Sequence, residues 1–142
     1  MRFWDSSALV PLLVREPATD AMKGELERDA ELTVWWATRL ECVSALARLE
    51  REGRLDGHGF VEANRRLALI ADAWDEVQPT ERVRQAAVRL VRVHDLRSLD
   101  ALQLGAALVA SDGDAESLPF VTLDARLARA ADREGFVVVQ RD

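Results

Sequence analysis

Short apolar runs alternate along this chain with longer stretches in which apolar residues recur every three or four positions. The short runs predict β-strands, because β-branched and aromatic residues favour extended backbone. The longer stretches predict amphipathic helices. The predicted strands are residues 3–4, 32–36, 76–79, 119–123 and 136–139. The predicted helices are residues 8–14, 18–29, 38–53, 60–74, a segment capped by Thr80, residues 98–110 and residues 125–134.

Individual residues indicate where these elements begin and end and which of their faces are buried. Ser6 and Ser7 are natural N-caps for the first helix, and Ser98 for a later one. The glycine-rich residues 56–59 predict a loop, and residues 111–117 a polar loop. The unbroken apolar run at residues 136–139 predicts a strand buried on both faces. The apolar face expected for the helix at residues 38–53 consists of Leu40, Val43, Leu46, Ala47 and Leu49.

The alternation of strands and helices predicts an α/β fold. Parallel strands joined by helical crossovers place helices on both faces of one sheet. The length of 142 residues is typical of a single domain, so we expect one domain over residues 1–142.

Four carboxylates lie where predicted elements meet. Asp5 follows the first strand, Asp124 follows the fourth, and Asp100 and Glu41 lie in the first turns of their helices. Each has an ordinary structural explanation, since acidic residues are favoured at turns and helix N-termini. Helices that follow parallel strands begin at one edge of the sheet, however, so all four can face one crevice. Their mutual repulsion would be relieved by a hard divalent cation.

Four segments that contain these acids resemble the signature segments of the PIN domain. They are Asp5-Ser6-Ser7, Arg39-Leu40-Glu41, the run from Leu96 to Ala101, and the run from Thr122 to Ala131. The similarity is strongest to the VapC-type toxin ribonucleases of prokaryotic toxin–antitoxin pairs, and it extends over nearly the whole chain.

The resemblance implies a three-layer α/β/α fold with a parallel sheet of about five strands. It also implies an endoribonuclease that depends on Mg²⁺ or Mn²⁺, forms a homodimer and is inhibited by a cognate antitoxin. By motif position, the metal-binding and catalytic acids would be Asp5, Glu41, Asp100 and Asp124, with Ser7 and Thr122 in support. Many relatives carry a further acid soon after the fourth, whereas Ala125 and Arg126 follow Asp124 here.

The amino-acid composition limits the functions and mechanisms that fit this chain. The net charge of −6 argues against non-specific affinity for nucleic acid over the whole surface. The single Cys42, and the absence of an apolar stretch long enough for a signal or membrane segment, lead us to expect a cytoplasmic protein without membrane association. Only His58 and His94 are present, and we interpret both as structural or exposed. This scarcity favours metal-activated water, and hence a 5′-phosphate product, over histidine acid–base catalysis.

Several residues have two interpretations. Arg39, Arg97 and Arg126 could hold RNA phosphates, or they could pair with the carboxylates and orient them. Trp35 and Trp36 could stack on an unpaired base, but they are more typical of core or interface positions. The helices at residues 8–14 and 38–49 could form a groove for a helical antitoxin segment, unless the fold and a dimer bury that surface.

Two other functions stay open from the sequence. One is a binding module with this fold and no catalytic activity. The other is a phosphoacceptor signalling domain, which would need a lysine near the acids; Lys23, the only lysine, lies in a charged surface helix.

Overall fold

The computed structural model describes residues 1–139. The elements in chain order are β1 (Arg2–Trp4), α1 (Ser6–Leu13), α2 (Thr19–Arg28), β2 (Leu32–Trp35), α3 (Thr38–Arg51), α4 (Gly57–Ala71), β3 (Asp75–Val77), α5 (Glu81–Val93), α6 (Ser98–Ser111), a 3₁₀ turn (Ala115–Ser117), β4 (Phe120–Val121), α7 (Ala125–Arg133) and β5 (Val138–Val139). Every predicted strand is present, and all predicted helices are present with shifted ends. None of the helices in this part of the chain has the length and apolar character needed to cross a bilayer.

The five strands form one parallel sheet in the order β3-β2-β1-β4-β5. β1 is the central strand, with β2 on one side and β4 on the other. In the β1–β4 pair, Phe3 lies opposite Phe120 and Trp4 opposite Val121. The chain therefore leaves β1 in one direction to build β2 and β3, and returns to the other side of β1 to build β4 and β5.

The two central aromatic residues divide the core into two layers. Phe3 and Trp4 are both fully buried, and because successive strand residues point to opposite faces, they belong to separate clusters. Phe3 stacks on Phe120 at 5.3 Å between ring centroids and joins the layer of α5, α6 and α7. Trp4 joins the layer of α1 to α4. The predicted three-layer α/β/α architecture with a five-stranded parallel sheet is confirmed.

Three predicted helix starts are wrong. α6 begins at Ser98 with Arg97 as its N-cap, so Ser98 is the first helical residue and not the cap.

The other two wrong starts are those of α1 and α4. α1 begins at Ser6 with Asp5 as its N-cap, so neither Ser6 nor Ser7 is the cap; the Ser7 hydroxyl instead donates to the Asp5 carboxylate. The predicted loop at residues 56–59 is largely the first turn of α4, because Asp56 Oδ1 accepts a hydrogen bond from the backbone N–H of Gly59 at 2.6 Å. This side-chain cap offsets the low helix propensity of the glycines.

Two burial predictions are also wrong. Leu40 was expected on the inner face of α3, but it is 70% exposed, because the buried residues of this helix are Thr38, Cys42 and Leu46. β5 is not buried on both faces, because it is an edge strand of the sheet and its residues are only half-buried. The single Cys42 is fully buried in the core and is unpaired.

Candidate active site

The order of the strands places a crevice between the ends of β1 and β4. These strands are neighbours, and the chain leaves them toward helices α1 and α7. In parallel sheets, ligands bind at such a reversal of strand order, beyond the carboxyl ends of the strands. Asp5 follows β1 directly, and Asp124 follows β4 as the N-cap of α7. The structure therefore brings these two acids, 119 positions apart in the sequence, to one edge of the sheet.

A network of hydroxyl groups connects the two strand ends. Ser7 Oγ donates to Asp5 Oδ1 at 2.7 Å and lies 3.3 Å from Thr122 Oγ1. It also accepts from the backbone N–H of Leu123 at 2.9 Å, and Thr122 Oγ1 accepts from the N–H of Asp124 at 3.0 Å. Ser7 and Thr122 thus fix the carboxylate of Asp5 relative to the segment that carries Asp124.

Asp5 is the most perturbed acid of the site. It is only 4% exposed, and burial raises its pKa from 3.8 to about 7, with a further increase from the negative charge of Asp124. Hydrogen bonds from Ser7 and Thr122 oppose this increase. Burial disfavours the charged form of a carboxyl group, and a neighbouring carboxylate adds to that effect. Strong perturbation of this kind is typical of functional sites.

The other three acids line an open cleft of about 550 Å³. Its walls come from the beginnings of α3, α6 and α7. The lining residues are Glu41, Arg97, Ser98, Leu99, Asp100, Asp124 and Arg126. Asp124 interacts electrostatically with both Asp5 and Asp100, and Asp100 with Glu41. The four acids therefore form a chain of neighbours along the crevice.

Glu41 is held by Gln103, which the sequence analysis did not identify, and by Ser6, which it interpreted as an N-cap. Gln103 Nε2 lies 3.2 and 3.3 Å from the two carboxylate oxygens, and Ser6 Oγ donates to Oε2 at 3.2 Å. Burial raises the pKa of Glu41 and these two hydrogen bonds lower it, while Asp100 raises it further. Gln103 is buried in α6, where its neighbours in the sequence are mostly apolar. A polar residue within such an apolar stretch was the signal available from the sequence, because a buried amide needs hydrogen-bond partners.

Asp100 lies between carboxylates and arginines. Burial raises its pKa, and the charge of Asp124 raises it further. Arg97 and Arg126, both exposed, lower it. These two arginines therefore balance part of the negative charge of the cleft and also present positive charge to an anion that enters it.

The remaining candidates lie elsewhere. Arg39 is exposed and is not among the described residues that line the cleft. Trp35 is buried in the core, whereas Trp36 is 52% exposed. His94 is bound to Glu134 and its side chain is buried.

Lys23 lines a separate cavity beside α1 and α2, so the lysine required by a phosphoacceptor mechanism is absent from the cleft.

The donor set of the cleft suits a hard divalent cation. Mg²⁺ and Mn²⁺ prefer carboxylate and hydroxyl oxygens, and a cation would relieve the mutual repulsion of these acids. Within residues 1–139, however, no three His, Cys, Asp or Glu side chains are grouped so that they could hold a metal ion. Mg²⁺ is usually bound through one or two carboxylates and retains water ligands, so the residues fit this ion without a compact cage.

A protein-family model described as "PIN domain" matches residues 2–133 of the chain. The chain belongs to the PIN domain family. Comparison with curated proteins finds no match. Among solved structures, PAE2754 from Pyrobaculum aerophilum is similar to this PIN domain, with a TM-score of 0.64 and 23% sequence identity over 98% of this chain and 82% of that one. This likeness supports the fold, and membership of the family implies a nuclease-type domain.

Proposed function

We propose that this PIN domain is the toxin of a toxin–antitoxin pair and acts as an endoribonuclease dependent on Mg²⁺ or Mn²⁺. The observation that carries the proposal is the cleft in which Glu41, Asp100 and Asp124 lie beside Arg97 and Arg126, at the reversal of strand order. Carboxylates can hold a cation, and flanking arginines can hold a phosphodiester.

The residues of the chain have separate roles in this proposal. The candidate ligands of the ion are Asp5, Glu41, Asp100 and Asp124, of which one or two would bind it directly. When bound, the ion supplies an activated water and neutralises charge on the phosphate. Ser7 and Thr122 keep Asp5 in place, since both belong to the hydroxyl network at the strand ends.

Glu41 and the phosphate are positioned by other side chains. Gln103 and Ser6 orient the Glu41 carboxylate through their hydrogen bonds. Arg97 and Arg126 place positive charge on the wall of the cleft, where forked guanidinium hydrogen bonds can orient an RNA phosphate.

The test is cleavage of a panel of structured RNAs with Mg²⁺, Mn²⁺ or EDTA. We expect cleavage only with metal, 5′-phosphate ends on the products, and a loss of at least about 100-fold in Asp100→Asn, because such losses follow removal of a principal electrostatic group. Asp72→Asn, an exposed change of the same type after α4, is the control. Full activity of Asp5→Asn and Asp100→Asn, or 2′,3′-cyclic phosphate products formed in EDTA, would refute the mechanism.

The antitoxin part of the proposal concerns a groove between α1 and α3. Val10, Ala37, Leu40, Ala45 and Leu99 line a space of about 450 Å³ that shares Glu41 and Leu99 with the acidic cleft. Leu40 is 70% exposed and Leu99 is 57% exposed. Exposed leucines on a groove wall fit the apolar face of an amphipathic helix. A helical antitoxin segment bound there would also block the cleft.

The binding test uses the protein encoded by the neighbouring reading frame. We expect Leu40→Asp to reduce co-purification and calorimetric binding strongly, whereas Leu69→Asp, on the exposed face of α4, has no effect. Equal binding by both variants would exclude the groove. We also propose a homodimer, which sedimentation equilibrium of the purified toxin tests directly.

One observation favours a second function, a PIN domain that binds RNA or protein without cleaving it. In the described part of the chain, no three potential ligand side chains are grouped for metal binding. Calorimetry with Mn²⁺ separates the two functions. Binding that Asp100→Asn weakens supports the nuclease, and no binding at near-millimolar Mn²⁺ supports the silent module.

A further inference from the structure

A second, smaller cavity lies beside the acidic cleft. It has a volume of about 170 Å³ and is lined by His94, Asp95, Arg126, Arg129, Ala130 and Arg133. We call it the basic pocket. Arg126 lines both spaces, so the basic pocket and the acidic cleft share a wall.

The arginines of the basic pocket come from one face of α7. Residues 126, 129 and 133 are separated by three and four positions, a spacing that places their side chains on the same side of a helix. From the first to the last they extend over about 10 Å of the helix axis. The pocket thus presents a row of guanidinium groups that leads away from the cleft.

Most of this positive charge is unpaired. Within residues 1–139, Arg126 has one long ion pair, at 3.8 Å to the exposed Asp95, and no carboxylate forms an ion pair with Arg129 or Arg133. Apart from His94, the lining carries three positive charges and one negative charge. The nearby Glu134 is already bound by Arg89 and His94. In a chain whose net charge is −6, the basic pocket is a local excess of positive charge, which attracts anions.

We infer that the basic pocket, through Arg129 and Arg133, binds a backbone phosphate of the RNA at a position next to the one in the acidic cleft. This inference rests on the proposed function. A strand that passes from the cleft over Arg126 reaches Arg129 and Arg133 in turn, and guanidinium groups bind phosphates by forked hydrogen bonds. The interaction is with the backbone, so it strengthens binding regardless of base sequence.

The experiment measures RNA binding without catalysis. Fluorescence anisotropy in EDTA follows a short, labelled, single-stranded RNA of mixed sequence over a series of salt concentrations. We expect the double variant Arg129→Gln/Arg133→Gln to weaken binding about tenfold at low salt. The slope of log affinity against log salt should fall by about 0.7 for each phosphate that the variant no longer neutralises.

The control removes the same charge from the opposite helical layer. Arg51→Gln/Arg65→Gln changes exposed residues of α3 and α4, and we expect less than a twofold effect and an unchanged salt slope. Equal effects of the two double variants, or no RNA binding by the wild-type protein, would overturn the inference. Binding of poly-L-glutamate is measured in the same way. If Arg129→Gln/Arg133→Gln kept its RNA affinity but lost its affinity for poly-L-glutamate, the inference would be overturned in favour of an acidic peptide ligand.

The RNA-binding experiment and the cleavage experiment can fail independently of each other. If the α7 variant loses RNA affinity while no metal supports cleavage, the basic pocket stands and the nuclease proposal fails. If cleavage requires metal and Asp100 but the α7 variant binds RNA normally, the nuclease proposal stands and the basic pocket fails.

Discussion

Gln103 Nε2 lies 3.2 Å from Glu41 Oε1, so a buried amide on α6 holds the carboxylate of α3. The same amide nitrogen lies 3.2 Å from Thr38 Oγ1, the hydroxyl at the start of α3. The two helices, which belong to different layers of the fold, are thereby joined at the cleft by polar contacts. Such a contact orients a functional side chain, because the amide has few other partners in the core.

We predict that Gln103→Leu impairs the site more than the fold. Loss of the hydrogen bonds raises the pKa of Glu41 further, because they favour its charged form. Hydrogen bonds to charged groups contribute roughly 1.5–3 kcal/mol, so we expect at least about tenfold lower activity near neutral pH. A pH–rate profile shifted upward in pH, and an NMR titration of Glu41, measure the effect.

Gln103→Glu is the matched comparison. It places a second carboxylate beside Glu41, so the pKa of Glu41 should rise more than in Gln103→Leu. An unchanged Glu41 titration in both variants would show that the amide does not act on this carboxylate.

We predict that Asp5 makes the metal-free protein less stable as pH rises. Its pKa is about 7 in the folded state, against about 3.9 in an unfolded chain. Between these values the folded state keeps a proton that the unfolded state has lost, so the free energy of unfolding falls from about pH 4 to pH 7 and then levels. At ~1.4 kcal/mol per pKa unit, the loss is a few kcal/mol at most.

Urea unfolding in EDTA across this pH range measures the effect. Asp5→Asn should flatten the curve, although Glu41 and Asp100 leave a smaller slope of the same sign, because their pKa values are raised too. Asp72→Asn should retain the wild-type slope. If the free energy of unfolding of Asp5→Asn fell with pH as steeply as that of the wild type, Asp5 would not be the group responsible.

We predict that Asp100→Asn stabilises the metal-free protein while it removes activity. Asp100 is partly buried and lies near the charge of Asp124, so its ionised form costs free energy at neutral pH. The melting temperature in EDTA should rise by a few degrees, and added Mn²⁺ should stabilise the variant less than the wild type. A lower melting temperature in EDTA would indicate that Asp100 makes a favourable contact in the fold.

We predict opposite effects for two helical glycines. A Cβ at Gly105 of α6 would lie 3.1 Å from the carbonyl oxygen of Val83 and 3.2 Å from the backbone nitrogen of Ala87. Gly105→Ala should therefore push α5 from α6 and cost about 1–3 kcal/mol. A Cβ at Gly24 of α2 meets nothing within 4 Å, so Gly24→Ala should stabilise by roughly 0.5–1 kcal/mol. Chemical unfolding of both variants tests the pair, and the same sign for both would contradict the packing argument.

The local sequence determined the type and order of the elements, because apolar periodicity and turn residues act over a few positions. It placed Asp5 after a strand and Asp124 before a helix, and a parallel sheet then required both to lie at one edge. It could not assign Leu40 to the surface, since the inner face of α3 depends on which neighbours pack against it.

Only the tertiary structure decided which distant residues meet. Gln103 reaches Glu41 across 62 positions, and the arginines of α7 meet His94 and Asp95 at a pocket wall shared with the cleft. Such contacts depend on the angles and distances at which complete helices pack, and these follow from the fit of many side chains at once. Whether an exposed arginine faces solvent, a carboxylate or a phosphate is decided at that level.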